Sequence, residues 1–564
     1  MKIRRDLETP MRDGVILRMD VYSPEGEEKV PAILLRTPYG KEHITDDPLY
    51  CDFERYTGAG YHVAIQDCRG TGASDGVLKC NGDSEYPDGY DTVEWLAVQP
   101  WCDGHVGMFG LSYHGFDQTA AAVTAPPHLD AICPFMTQSI PPYGLSRQQT
   151  IGCYHLGWVY GQLLRELEKH IPDPEQRKRL EPVLRDRMAH LDECNFHLPM
   201  NENPAATIDG ISMFREYLDV VNHCEDPDFW RSVGRPAEMD RLGCAVFHAT
   251  GWFDGMKDTT VDNYQAVRDQ GSEYAKANNR LLIGPWAHGG HMGAAYDGMN
   301  FGDSNTGKAQ DVAGMMIRWF DRYLKKRKGL PEESRVRYFI MGANEWREDS
   351  DWPPTAASLK ACYLDAGGRL TEAVPETAGK DRYDYDPNHP MPSFLKDSRG
   401  HFLIPDWSEM TKDCGHLTYE TEPLEHPVTI AGCVEMRLYA VTDAKDTDFS
   451  CRISDVYPDG FEFEMAAGIV RARHRSGVLF QTDETKPGQV TRYDFRVGST
   501  ARRIEAGHRI KITVASSLYP AHDRNLNTGA VPGQTSEMVT AHQIIYRGGE
   551  QASCVLLPVL AKQE

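Results

Sequence analysis

Three observations predict an α/β protein with a helical insertion and a separate β domain. Strand and helix signals alternate over residues 1–145 and return over 241–350. An amphipathic helical stretch separates the two blocks, over 146–240. Short β-rich runs divided by turn residues fill 351–564. At 564 residues the chain exceeds what a single hydrophobic core serves, so several domains are expected.

The elements follow in order. "VPAILLRTPYG" and "YHVAIQDCRGTG" each read as a buried strand running into a turn. "GYDTVEWLAVQ" is a helix pattern, with Val93, Leu96 and Ala97 on one side. "GHVGMFG" is a third buried strand, and an alanine-rich helix follows it. Buried strands alternating with helices imply a mostly parallel sheet. In the insertion, "HLGWVYGQLLRELEKH" and "PEQRKRLEPVLRDRMAHL" are amphipathic, with Leu163, Leu164 and Leu167 at helical spacing and no strand signal between them. "CAVFHATGWFDG" and "NRLLIGPWAHGG" repeat the strand-then-turn texture and are expected to rejoin the first sheet. "DVAGMMIRWFDRYLKKRKG" reads as a closing helix stopped at Gly329 after a basic last turn. Beyond it, "VTIAGCVEMRLYAVTD", "DFSCRISDVYPDG", "FEFEMAAGIVRARHR", "VTRYDFRV" and "HRIKITVASS" predict a β-sandwich of the jelly-roll kind.

Composition excludes several functions. With 60 basic and 83 acidic residues the net charge is −23, which repels nucleic acid and anionic membrane surfaces. No apolar run approaches the roughly 20 residues of a membrane span. The opening "MKIRRDLETPMRDGVIL" lacks the apolar core of a signal peptide. The 14 cysteines form no CxxC pair and read as reduced thiols, so a cytoplasmic location is expected. No metal site is expected. His288 and His291 are three apart, but "HGGHMG" is loop and lacks zinc-ligand spacing.

The chemistry centres on "GLSYHG". A serine in a sharp strand-to-helix bend exposes its hydroxyl at the carboxyl edge of the sheet. Gly110 stands two before Ser112, but the next glycine, Gly115, stands three after it, and His114 takes the usual small position. The flanking strand and helix restore the reading. In hydrolases with this bend the chain order is serine, acid, histidine. Asp254 closes one downstream strand in "GWFDG" and His288 another in "GPWAHG", with Asp258 and His291 as alternatives nearby. Each principal candidate stands where a parallel sheet presents its ligand-facing edge.

At this point the chain resembles the cocaine-esterase-like (CocE/NonD) serine hydrolases, related to X-prolyl dipeptidyl-peptidases and α-amino-acid ester hydrolases. The matching stretches span the chain: "RTPYGK", "QDCRGTGASDG", "GLSYHG", "GWFDG", "GPWAHG", "FIMGANEWRE", "DTDFSCRISDVYPDG" and "HDRNLNTG". The resemblance implies an α/β-hydrolase domain with an inserted helical cap and a C-terminal jelly roll. It implies Ser112 as nucleophile, Asp254 as triad acid and His288 as base. It also implies an oxyanion hole from the Tyr113 backbone N–H and the Tyr39 hydroxyl. Trp158, and more weakly Tyr154, match the stretch where the family places an aromatic acyl-pocket wall. Core packing within the cap accounts for those two aromatics equally well. One departure concerns substrate. Where the amino-ester branch holds an ammonium with carboxylates after the triad aspartate, this chain has Gly255-Met256-Lys257.

The expected activity is hydrolysis of a small-molecule carboxylic ester, or an amide, through an acyl-enzyme and without a cofactor. An acyltransferase or cyclase could use the same acyl-enzyme. X-prolyl peptidase activity is disfavoured by the missing acidic cluster, and a non-enzymatic binding scaffold by the candidate triad. Neither nucleic acid nor membrane is expected as a partner, and the oligomeric state, a homodimer included, is left open.

Overall fold

Ten strands form the first sheet: β1 Lys2–Pro10, β2 Ile16–Ser23, β3 Val30–Thr37, β4 His62–Asp67, β5 Cys102–Leu111, β6 Leu129–Phe135, β7 Ala245–Phe253, β8 Asn279–Ala287, β9 Val336–Ile340 and β10 Glu345–Asp349. Their spatial order is β1-β2-β4-β3-β5-β6-β7-β8-β9-β10. From β4 through β9 the neighbours run parallel. β2 lies antiparallel to β4, and β10 antiparallel to β9. The computed structural model describes residues 1–561 except 27, 47–51, 79–81, 83, 139–157, 159–160, 163, 204–206, 209–210, 213–214, 230–238, 290–291, 297–298, 394, 397–401, 404–406, 408–410 and 478–480.

Side-chain alternation explains why the central strands are apolar throughout. Ile33 and Leu35 face a cluster with Tyr56 and Phe320, on the side of helices α1 (Phe53–Gly58) and, near the chain's middle, Val312–Tyr323. Leu34, between them, faces the opposite cluster with Val93 and Phe116, on the side of α2 (Glu85–Ala97) and α3 (Tyr113–Val123). Both faces are buried, so truncating Leu34 to alanine costs about 2–5 kcal/mol.

The insertion holds α4 (Pro174–Ala189) and α5 (Arg215–Asn222). Asp173 caps α4 by accepting from the Glu175 N–H at 3.0 Å, with Pro174 in the first turn, where its missing N–H costs nothing. Contrary to the strand-free expectation, two two-residue strands, Thr207–Ile208 and Ile211–Ser212, pair here; they are too short to leave a sequence pattern. After the insertion come α6 (Lys257–Gln270) and α7 (Val312–Tyr323). α7 stops before the basic run rather than at Gly329. Lys325 and Arg327 turn back onto Asp321, at 3.0 and 2.7 Å, and Lys326 adopts φ +52°. The N-terminal hairpin β1–β2 also carried no sequence signal: at the edge of the sheet β1 keeps charged residues on its exposed face.

Eleven strands form the second large sheet: β11 Ala357–Asp365, β12 Arg369–Thr371, β13 Gly379–Tyr385, β14 Leu417–Glu420, β15 Val428–Thr442, β16 Asp448–Val456, β17 Glu462–Arg471, β18 Thr491–Ile504, β19 Arg509–Ala515, β20 Ala541–Arg547 and β21 Cys554–Leu560. Their path is β13-β20-β15-β21-β11-β12-β14-β19-β16-β17, with β18 on β15. A register shift between Val434 and Glu435 leaves one extra residue in β18, next to Gly498. The two sheets are fastened together. The Met341 N–H donates to the Ala501 carbonyl at 3.0 Å, and the Arg503 N–H donates to the Met341 carbonyl at 2.8 Å. One hydrophobic cluster runs from Trp252, Val261 and Leu281 to Ile430, Phe463 and Val497.

The stretches "DTDFSCRISDVYPDG" and "HDRNLNTG" converge on a buried ionic centre. Arg471 donates to both oxygens of Asp448, at 2.9 and 3.0 Å, and to Asp523 at 3.1 Å. Asn525 donates to Asp446 and Asp448. Next to it Arg473 pairs with Asp446 and, across to the insertion, with Glu225 at 2.7 Å. No helix among the described residues is long and apolar enough to cross a membrane.

Candidate active site

β5 ends at Leu111 and α3 begins at Tyr113, so Ser112 is the bend between them. Its backbone sits at φ +63°, ψ −126°, a conformation that costs a non-glycine residue of order 1–3 kcal/mol. The surroundings hold it there. The Ser112 N–H donates to the carbonyls of Phe135 (3.0 Å) and Met136 (3.2 Å), and the Thr137 hydroxyl donates to the Ser112 carbonyl at 2.9 Å. The off-pattern glycine finds its reason in the same contact. A Cβ on Gly115 would lie 2.6 Å from the Thr137 Cβ, so only glycine admits this approach. Gly110, at φ +135°, has no room either, because its Cβ would meet the His114 Cβ at 2.5 Å.

Two neighbouring strand ends complete a linear array. The His288 Nε2 lies 3.0 Å from the Ser112 Oγ, and its Nδ1 lies 3.1 Å from the Asp254 Oδ1. The tautomer that serves both contacts carries its proton on Nδ1, donates to Asp254 and accepts from the serine hydroxyl. The Asp254 side chain is fully buried, whereas that of His288 is 31% exposed. Asp254 also accepts from the Met256 N–H at 2.7 Å and from the Thr250 hydroxyl at 3.4 Å. Such an array can draw the proton from the serine as it attacks a carbonyl.

The Tyr113 N–H stands at the first position of α3, where a helix presents N–H groups and the positive end of its dipole. The Tyr39 hydroxyl reaches Ser112 from the end of β3 and accepts from the Trp158 indole N–H at 3.2 Å. Burial pushes the Tyr39 phenol up to about 12, with its hydrogen bonds to Trp158 and Ser112 pulling the other way. It therefore keeps its proton at neutral pH and can donate it. Trp158 also stacks on the Tyr113 ring, with centroids 5.9 Å apart and planes 10° off parallel. The sequence offered no sign of this tie between Trp158 and the two oxyanion-donor candidates. Tyr154 and His291 lie outside the described residues.

The alternatives separate by position. Asp258 faces away from His288: its Oδ1 accepts from the Ser499 N–H at 2.8 Å. His114 is buried, and burial pushes it down to about 3, so it is neutral. It contacts the Thr37 hydroxyl at 3.1 Å and packs edge-on against Tyr39, 5.1 Å between centroids. Beneath α3, Cys68, Glu85 and Asp117 bring ligand-type atoms within 4.8 Å of one another. Their chemistry is that of an ion-pair network. Arg36 lies 2.9 Å from Glu85, and the Cys68 thiol donates to Asp117 at 3.4 Å. Burial pushes both the thiol and the Asp117 carboxyl well up, which disfavours the anionic forms a metal would need. Glu85 also accepts from the Tyr113 hydroxyl at 3.1 Å.

Comparison with known proteins places the chain among serine hydrolases. The model for the X-Pro dipeptidyl-peptidase (S15 family) matches residues 13–290, and that for the X-Pro dipeptidyl-peptidase C-terminal non-catalytic domain matches residues 329–556. The cocaine esterase of Rhodococcus sp. (strain MB1 Bresler) is 33% identical over 581 residues, covering 98% of each chain. Two solved structures share the fold over 99% of this chain and 96% of theirs. An α-amino acid ester hydrolase has TM-score 0.82 at 24% identity. An aminopeptidase from a marine sediment archaeon, Thaumarchaeota archaeon, has TM-score 0.80 at 23% identity.

Proposed function

This chain belongs to the S15 family of serine hydrolases, in its cocaine-esterase-like branch, and from that premise we propose that Ser112, His288 and Asp254 are its catalytic triad. The enzyme hydrolyses esters; the proposal concerns which atoms do so and on what. The linear array of Asp254, His288 and Ser112, with steps of 3.1 and 3.0 Å, carries the assignment. His288 takes the hydroxyl proton as the Ser112 Oγ attacks the ester carbonyl, and returns it to the departing alcohol. Asp254 holds the imidazole in its tautomer and stabilises the imidazolium. The tetrahedral oxyanion sits between the Tyr39 hydroxyl and the Tyr113 N–H. Water activated by His288 then cleaves the acyl-enzyme.

The substrate is a small-molecule ester whose acyl part lacks a free α-ammonium. Lys257 follows the triad aspartate by three residues, and its charge acts on Glu464 of the C-terminal unit. The three residues after Asp254, Gly255-Met256-Lys257, therefore supply no carboxylate to clamp an ammonium. For the architecture we propose an α/β-hydrolase domain in two parts, 1–145 and 241–350, a cap over 146–240, and a jelly roll over 351–564. The long antiparallel pairs β15–β18 and β16–β17 support the last assignment.

The test is labelling with a fluorophosphonate probe alongside turnover of a p-nitrophenyl ester. We expect one label per chain, lost in Ser112→Ala together with turnover, a fall of about 10⁶-fold in kcat. Labelling of Ser112→Ala equal to the parent sinks the nucleophile assignment. A preference for α-amino-acid esters over their N-acylated forms sinks the substrate reading and leaves the triad standing.

A further inference from the structure

The helix that follows the candidate triad acid is held from two sides. α6 begins three residues after Asp254, and the intervening turn is tight: the Lys257 N–H donates to the Asp254 carbonyl at 3.1 Å. On one side the first turns of α6 grip the strand end beside the nucleophile bend. The Thr259 and Thr260 hydroxyls donate to the Thr137 carbonyl at 2.9 and 3.0 Å. Asn263 donates to the Gln138 carbonyl at 3.0 Å. Thr137 is the residue whose hydroxyl holds the Ser112 carbonyl.

On the other side the same turns plug into the C-terminal unit. Asp258 accepts from the Ser499 N–H at 2.8 Å and lies 3.7 Å from Arg496. Arg496 pairs more closely with Asp262, one turn further along. The contact falls where β18 carries its extra residue. Gly498 there adopts φ +141°, and a Cβ on it would come within 3.1 Å of the Asp258 Oδ2. The irregularity thus turns a strand N–H outward and clears room for a carboxylate from another unit.

We infer that Asp258 and Asp262 are positioning residues: through them the β18 bulge fixes α6, and α6 fixes Asp254 against the Ser112 bend. The C-terminal unit, non-catalytic in the sense that it supplies none of the three triad residues, then shares in catalysis by setting their alignment. This rests on the triad reading above. Displacing a catalytic group by 1 Å costs on the order of 100-fold in rate, and freeing one anchor among several costs less.

The experiment counts reactive sites before measuring rates. Full-length Asp258→Ala, Asp258→Asn, Arg496→Met and Asp254→Asn are titrated with a fluorophosphonate, then assayed on a p-nitrophenyl ester. Per titrated serine, Asp258→Ala is expected to lose about tenfold in kcat, with KM within about twofold of the parent. Asp258→Asn keeps an acceptor for the Ser499 N–H and is expected to recover most of that loss. Arg496→Met is expected to fall between them. A purely structural contact lowers the number of titratable sites and leaves the rate per site alone. Parental kcat per site in Asp258→Ala and Arg496→Met, with Asp254→Asn strongly impaired, overturns the inference and leaves the triad intact. If Asp258→Ala does not accumulate folded, the Arg496→Met rate per site decides in its place. Parental activity in Asp254→Asn overturns the triad reading itself.

Discussion

His288 and Arg471 each face an aspartate at hydrogen-bonding distance, 3.1 Å to Asp254 and 2.9 Å to Asp448, and they belong to opposite kinds of site. Around Arg471 the base is a permanent cation, fully buried, with Asp448 and Asp523 on it and Asn525 on Asp448. Around His288 the base can gain or lose a proton, part of its ring reaches solvent, and its second nitrogen points at a hydroxyl. The first arrangement has no proton to move. The second has one, with a hydroxyl beside the base and part of the ring open to solvent. Burial and charge pairing alone therefore do not mark an active site; a titratable base with one open neighbour does.

The sharpest way to break this contrast is to damage each aspartate–base pair and ask which property fails. Asp254→Asn forces the imidazole toward the wrong tautomer, and kcat is expected to fall by about 10⁴-fold with the melting temperature little changed. Arg471→Met should do the reverse. It strands Asp448 and Asp523 without their cation, which costs about 3–5 kcal/mol in a denaturant titration, while kcat per titrated serine stays parental. A large loss of kcat per site in Arg471→Met would erase the distinction. Next in size, Tyr39→Phe removes one of the two proposed oxyanion donors and is expected to lower kcat by about 10²–10³-fold. Its effect on KM should be small, because the donor serves the transition state more than bound ester.

The last effect is one of pH and concerns histidines that are not bases. Burial pushes His114 and His248 down to about 3, and His62 and His522 to about 4. Unfolded, each would titrate near 6.5, so between that pH and its folded value the unfolded chain binds the extra proton. Their contribution is whole above pH 6.5 and is lost as the pH falls. Chemical denaturation should then show stability flat near pH 7–8 and declining below 6.5, by at most about 1.4 kcal/mol per pH unit for each ring that stays neutral. Stability that holds steady from pH 7 to 5 would show that these rings are not buried neutral.

Much of this was legible in the residues. Strand-then-turn texture placed Ser112, Asp254 and His288 at strand ends because buried parallel strands are apolar on both faces, as Ile33, Leu34 and Leu35 show. The two-faced apolar signal is absent from β1, which lies at an edge, so the N-terminal hairpin passed unseen. The basic run after α7 read as a last helical turn, since sequence alone does not reveal that Asp321 folds Lys325 and Arg327 back. Long-range ties were hidden for the same reason. Nothing around Trp158 announces that its N–H meets Tyr39, 119 positions earlier, or around Asp258 that it meets Ser499, 241 positions later.

The fastening of the two sheets through Met341 has a consequence for synthesis. Trp252, Val261 and Leu281 belong to the α/β part, yet their cluster is closed by Ile430, Phe463 and Val497. On the ribosome those partners emerge roughly ten to fifty seconds after the strands they cover, at about 5–20 residues per second. For that interval the nascent α/β part presents an unfinished apolar flank, and the backbone of Met341 waits for Ala501 and Arg503. Chaperone demand should therefore peak late in translation, and a chain stopped before β18 should be retained or degraded rather than released as a working hydrolase.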